Sequence, residues 1–96
     1  MDNLQLQREK LDRLDDEIVS LLGTRLRICR DIAAHKKKSR IPMMQEGRVA
    51  EVKRRVVARG KAEGLSEEFL SSLYEMIIAE ACRIEDSIID EPRSSG

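Results

Sequence analysis

The chain has 96 residues, with 18 basic and 18 acidic side chains and a formal net charge of zero. That length suits one small domain. Neutrality argues against a nucleic-acid binder, and an aromatic content of 2%, Phe69 and Tyr74 alone, offers no platform for stacking bases. No charge-free run approaches the roughly 20 residues of a membrane span, and the opening MDNLQLQREK lacks the apolar stretch of a secretory signal. The expectation is a cytoplasmic protein with neither a nucleic-acid nor a membrane partner.

The elements follow in order. Residues 4 to 37 contain no proline and one glycine, Gly23. Leu4, Leu11, Leu14, Ile18, Leu21, Leu22, Ile28, Ile32 and Ala33 recur at steps of mostly three, four or seven, which is helical periodicity sustained over about thirty residues. The SRIP run at 39–42 ends that helix, because Pro42 disfavours helix at the residue before it. A second helix is expected from about Glu46 to Lys61, with Val49, Val52, Val56 and Val57 on its apolar side and Gly60 and Gly64 marking a frayed end. Ser66 is placed to cap a third helix, with Glu67 and Glu68 where a helix start favours negative charge. That helix carries Phe69, Leu70, Leu73, Met76, Ile77, Ala81, Ile84 and Ile88, and ends between Asp90 and Pro92. The pattern contains no strand signal, so the fold class is all-α: a three-helix subunit over residues 1–90, with a disordered tail at 91–96.

The first helix is a rod about 50 Å long. Two shorter helices cannot cover it, and its uncovered stripe needs a partner. Two rods packed against each other in a homodimer is the economical solution. Cys29 and Cys82 read as small buried apolar groups rather than a disulfide. With no CxxC and a single histidine, His35, exposed beside three lysines, no metal site is expected.

Four cations interrupt the pattern: Arg8, Arg25, Lys36 and Arg48. Arg25 stands seven residues after Ile18 and seven before Ile32, in register with the apolar stripe. Lys36 follows eleven residues later, which returns to within about 20° of the same face and about 16 Å along the axis. Their long side chains can therefore converge on one small anion. Arg8 is about 25 Å from Arg25 along the rod and reaches that point only from a second, antiparallel subunit. Spacing equally permits surface ion pairs with Asp12, Asp15, Asp16 and Asp31. On the third helix, Glu85 follows Ala81 by one turn and leans towards the buried side. A carboxyl there is paired with a cation or kept protonated by desolvation, or sits at the edge of the stripe.

With these residues in view, REKLDRLDDEIVSLLGTR (8–25), AAHKKKSRIP (33–42), GR (47–48) and GLSEEFLSSLYEMII (64–78) resemble, in order, the all-helical chorismate mutase family. The likeness spans about Leu4 to Ile89. It implies an intertwined homodimer of three-helix subunits with shared active sites, each taking a small cyclohexadiene dicarboxylate. It implies no cofactor and no metal, because a [3,3]-sigmatropic shift needs neither. Carried over by position, Arg8 of one subunit and Arg25 of the other hold the two carboxylates, and Lys36 meets the ether oxygen and a carboxylate. Arg48 supports the carboxylate cluster, and Glu85 stands where many members have a glutamine that donates to the ether oxygen.

The departures bear on substrate. Val49 replaces a glutamate that receives the ring hydroxyl in bacterial chorismate mutases. Gln45 replaces an acidic residue, and Ala81 a frequent serine. PMMQEGRV (42–49) with EACRIED (80–86) looks most like the 4-amino-4-deoxychorismate mutases of antibiotic biosynthesis. Chorismate itself, the isochorismate-pyruvate lyases on the same fold, which the RVA run at 48–50 resembles, and a non-catalytic helical dimerisation module remain the alternatives.

Overall fold

The computed structural model describes residues 2–39 and 46–90, which form three helices: α1 (Asn3–Ser39), α2 (Glu46–Ala62) and α3 (Glu67–Asp90). Pro42, Gln45 and the tail at 91–96 lie outside the described residues. The helix boundaries match the periodic pattern to within about two residues. Asp2 caps α1: its Oδ1 accepts from the Leu4 amide at 3.1 Å. Lys36, Lys37 and Lys38 occupy the last turn of α1, where the exposed carbonyls favour positive charge. Ser66 Oγ accepts from the Phe69 amide at 3.1 Å, the expected cap of α3.

The end of α2 differs from the frayed terminus expected at Gly60 and Gly64. The Leu65 amide donates to the Gly60 carbonyl at 2.9 Å and the Gly64 amide to the Lys61 carbonyl at 3.1 Å, the paired bonds of a Schellman cap. Gly64 takes the left-handed conformation (φ 77°) that this cap requires. Gly60 is buried, and a Cβ there would sit 1.9 Å from Leu70 Cδ1. The missing side chain thus lets α3 close on α2. Leu70 is itself only 5% exposed and has little room to retreat. Gly60→Ala should therefore destabilise the fold by about 1–2 kcal/mol, overpacking outweighing the gain in helix propensity. A fall of several degrees in Tm would register it.

α3 packs on both other helices. Arg25 lies over Tyr74, and Lys37 Nζ donates to the Ile88 carbonyl at 2.9 Å. The same offset of about fifty residues in both pairs makes the C-terminal half of α1 and α3 parallel. α2 and α3 form an antiparallel hairpin across the Schellman turn. Ala33, Val52, Leu70 and Ala81 are the buried apolar residues among those described. Alanines buried in α1 and α3 suit close helix approach.

The molecule measures 60 × 31 × 15 Å, with a radius of gyration of 17.5 Å, against about 13 Å for a compact chain of this length. It is a slab little more than one helix thick. A single layer cannot enclose a core, which takes two packed layers. The consequence is visible on α1, where Leu4, Leu11, Leu14, Ile18, Leu21, Ile28 and Ile32 are all exposed, Leu21 by 69%. A stripe of that size left in water marks an interaction surface.

Candidate active site

One cleft gathers residues from all three helices. α1 contributes Arg25, Cys29, Ile32 and Lys36; α2 contributes Arg48, Val49 and Val52; α3 contributes Ile78, Ala81, Cys82 and Glu85. The cleft, open on one side, has a volume of about 170 Å³. Six of the eight residues singled out from the sequence thus meet: Arg25, Lys36, Arg48, Val49, Ala81 and Glu85. Arg8 does not join them within one chain. It is exposed near the other end of α1, separated by the same 25 Å or so of rod. Gln45 lies outside the described residues.

Helical spacing explains the α1 wall. Arg25, Cys29, Ile32 and Lys36 follow at steps of four, three and four, one face of a helix. The parallel run of α3 then brings Ala81, Cys82 and Glu85 opposite, and the hairpin sets Val49 and Val52 as a hydrocarbon side wall. Ile32 and Val52 signalled only core, Ile78 stood outside the apolar pattern read for α3, and the two thiols signalled only small buried groups. Both thiols instead line the cleft, and both are free. The signal for Cys29 was its place one turn after Arg25 and two turns before Lys36.

Arg25 has an unusual setting. Its guanidinium carbon lies 5.9 Å from the centroid of the Tyr74 ring, within cation–π range. Its Nη1 approaches Cys29 Sγ at 3.9 Å. Among the described residues no carboxylate forms an ion pair with Arg25 or Arg8, so neither is spent on the aspartates available along α1. A soft neutral cradle orients Arg25 without neutralising it. Arg48 does have an acidic partner, Glu51 Oε1 at 2.6 Å, but both side chains are 58% exposed. Such surface pairs contribute at most about 1 kcal/mol, and the guanidinium can exchange that partner for a ligand at the cleft.

Glu85 is half-buried. Burial pushes its carboxyl above the usual carboxylate range and neighbouring Asp86 adds to the rise, against the opposing pull of Lys36 and Arg25. Burial likewise pushes both thiols up. At Cys29, Arg25 and Lys36 oppose that rise and Glu85 adds to it; at Cys82, Glu85, Asp86 and Cys29 add to it and Lys36 alone opposes. Burial thus disfavours the charged forms of the acid and both thiols, beside the cations Arg25, Lys36 and Arg48. Three cations and an apolar wall suit the cleft to a small anion, with Glu85 beside them.

A cation-lined cleft in a thin all-helical subunit defines a class of helical bundle suited to a small anionic molecule, and comparison with known proteins assigns the family. The sequence model of chorismate mutase type II matches residues 7–86. The chain is 41% identical over 86 residues to a 4-amino-4-deoxychorismate mutase of Streptomyces venezuelae, covering 90% of this chain and 84% of that protein. It is 38% identical over 88 residues to a 4-amino-4-deoxychorismate mutase of Streptomyces pristinaespiralis, covering 92% and 68%. A bifunctional chorismate mutase/prephenate dehydratase of Escherichia coli is 24% identical over 84 residues, covering 88% of this chain and 22% of that protein. The chain belongs to the chorismate mutase type II family. It is an isomerase of the chorismate mutase type.

Proposed function

We propose that this isomerase converts 4-amino-4-deoxychorismate to 4-amino-4-deoxyprephenate, working in the cytoplasm as an intertwined homodimer whose two active sites each draw on both subunits. The observation that carries the choice of substrate is Val49 on the cleft wall. In the bacterial chorismate mutases that the chain resembles, a glutamate at that position receives the ring hydroxyl. A hydrocarbon wall leaves that hydroxyl without its acceptor and removes the discrimination such a bond supplies. Names borne by relatives 41% and 38% identical point the same way.

The residues then divide the work. Arg25 grips one carboxylate of the substrate, and Arg8 of the second copy grips the other. Two bidentate contacts fix direction as well as place. They select the folded conformer with the enolpyruvyl arm over the ring, which removes orientational entropy from the barrier. As the C–O bond breaks, negative charge gathers on the ether oxygen. Lys36 meets that charge in a cleft partly shielded from water, while the new C–C bond closes the cycle within the same molecule. No proton leaves, so no base is required. Arg48 supports the carboxylate cluster, Gln45 is carried over as a further substrate-binding residue, and Ala81 leaves room beneath the ring.

Protonated Glu85 donates a hydrogen bond to the same oxygen as Lys36. Ionised, it would repel the developing charge. Its raised pKa keeps the donor form present to higher pH, so the rate falls as pH rises and the proton is lost. Glu85→Gln replaces the carboxyl with a donor that does not titrate and should flatten the alkaline limb of the kcat profile. An unchanged limb would remove Glu85 from this role.

The slab shape and the bare leucines of α1 support the dimer. The particle in solution should therefore have twice the 11.0 kDa of the chain by light scattering. NMR analysis of products from chorismate, 4-amino-4-deoxychorismate and isochorismate in parallel tests the reaction. Preferred turnover of the amino substrate without free pyruvate is expected. Preference for chorismate, or pyruvate release from isochorismate, would overturn the assignment.

A further inference from the structure

The rearrangement gives no task to the two thiols of the cleft. Cys29 Sγ is 3.9 Å from Arg25 Nη1, a nitrogen that a bound carboxylate would engage. An oxygen accepting from that nitrogen sits about 2.8 Å away. The carbon next to the carboxyl, two bonds further on, is then within reach of the sulfur when the carboxylate binds on the cleft side of Arg25. Binding of that kind would hold the two reacting atoms together, in place of a chance collision.

We propose that Cys29 makes this cleft a covalent capture site for small carboxylate-bearing alkylating electrophiles, with Cys29 Sγ as the nucleophile and Arg25 and Lys36 as the anchor that delivers the reagent. In the step, the thiol gives its proton to a solvent base. A sulfur lone pair forms the S–C bond as the carbon–halogen bond breaks, and halide leaves with the bonding pair. The product is a thioether carrying its carboxylate beside Arg25, where it fills the cleft. The capture needs only the cations and the thiol, so it stands or falls separately from the isomerase reading.

Selectivity follows from the surroundings. Burial favours the neutral thiol at Cys29, a poor nucleophile towards an uncharged reagent that does not dwell in the cleft. A cation-lined cleft raises the local concentration of an anion by about 10- to 1,000-fold. An exposed thiolate shows the opposite preference, because it repels a carboxylate. Cys82 provides an internal comparison. It lines the same cleft, but Glu85, Asp86 and Cys29 all act to raise its pKa, and only Lys36 opposes them.

The test is alkylation of the full chain with iodoacetate and with iodoacetamide, read at each cysteine by peptide mass spectrometry. The same ratio is measured in urea-unfolded protein as the reference. For Cys29 the iodoacetate-to-iodoacetamide rate ratio should rise at least about tenfold on folding. It should fall several-fold towards the unfolded value in Arg25→Ala, and succinate, a non-reactive dicarboxylate, should slow labelling by iodoacetate. A native ratio no higher than the unfolded one, or labelling confined to Cys82, would overturn the proposal. Should Arg25→Ala fail to fold, succinate competition on the unaltered protein decides: no slowing overturns it.

Discussion

Replacing Lys36 with alanine should lower kcat at least about a hundredfold while leaving the helix content and Tm nearly unchanged. Lys36 is half-buried at the edge of the cleft, so losing its side chain removes little packing. Beyond its contact with a carboxylate, its larger effect falls in the transition state, where the ether oxygen becomes negative. Loss of one preorganised donor of this kind costs roughly 3–4 kcal/mol. Lys36→Met isolates the charge, since it keeps much of the hydrocarbon stem, and should lose as much as alanine does. Lys36→Arg keeps the charge and should recover part of the rate. Steady-state kinetics with circular dichroism on the same samples measures both. A loss below tenfold in Lys36→Met would show that the ether oxygen is stabilised elsewhere.

The second large effect concerns the division of the site between two chains. Arg8→Ala and Arg25→Ala should each reduce kcat/KM at least about a hundredfold, since each removes one of the two carboxylate clamps and leaves the substrate free to swing. Mixed and refolded together, the two inactive variants should regain about a quarter of the original specific activity. Random pairing of a C2 dimer gives half mixed dimers. In each of these, one site keeps Arg25 of one chain and Arg8 of the other, and the second site has neither. If both arginines served a site within a single chain, no mixture would recover activity. Geometry already opposes that alternative, because the two residues stand about 25 Å apart on one straight helix.

These expectations rest on features of unequal legibility. The three helices were readable because their causes are local: apolar residues at helical steps, Ser66 ahead of Glu67 and Glu68, and Pro42 beyond α1. The common face of Arg25 and Lys36 was readable for the same reason, since eleven residues are nearly three turns. Glu85 could be placed near the apolar side of α3, yet nothing local tells which residues of another helix it faces. Its raised pKa is a property of burial against α1 and of the balance with Lys36 and Arg25, and neither exists in an isolated helix. The end of α2 shows the same limit. Two glycines suggested fraying, whereas the hydrogen bonds of Leu65 and Gly64 and the approach of Leu70 make a defined turn.

By itself, then, the sequence determined an all-α chain whose long first helix carries more apolar surface than two short helices can cover, with cations set into that surface. Periodicity fixes the azimuth of each residue on its own helix, and composition fixes what must be hidden from water. Only the tertiary structure decided that α1 and α3 run parallel, that Val49 and Ala81 wall the same cleft as Lys36, that Tyr74 and Cys29 cradle Arg25, and that the two thiols face the site. Those relations depend on the relative placement and rotation of packed helices, set jointly by small buried residues such as Gly60, Ala33 and Ala81, and no single helix encodes them.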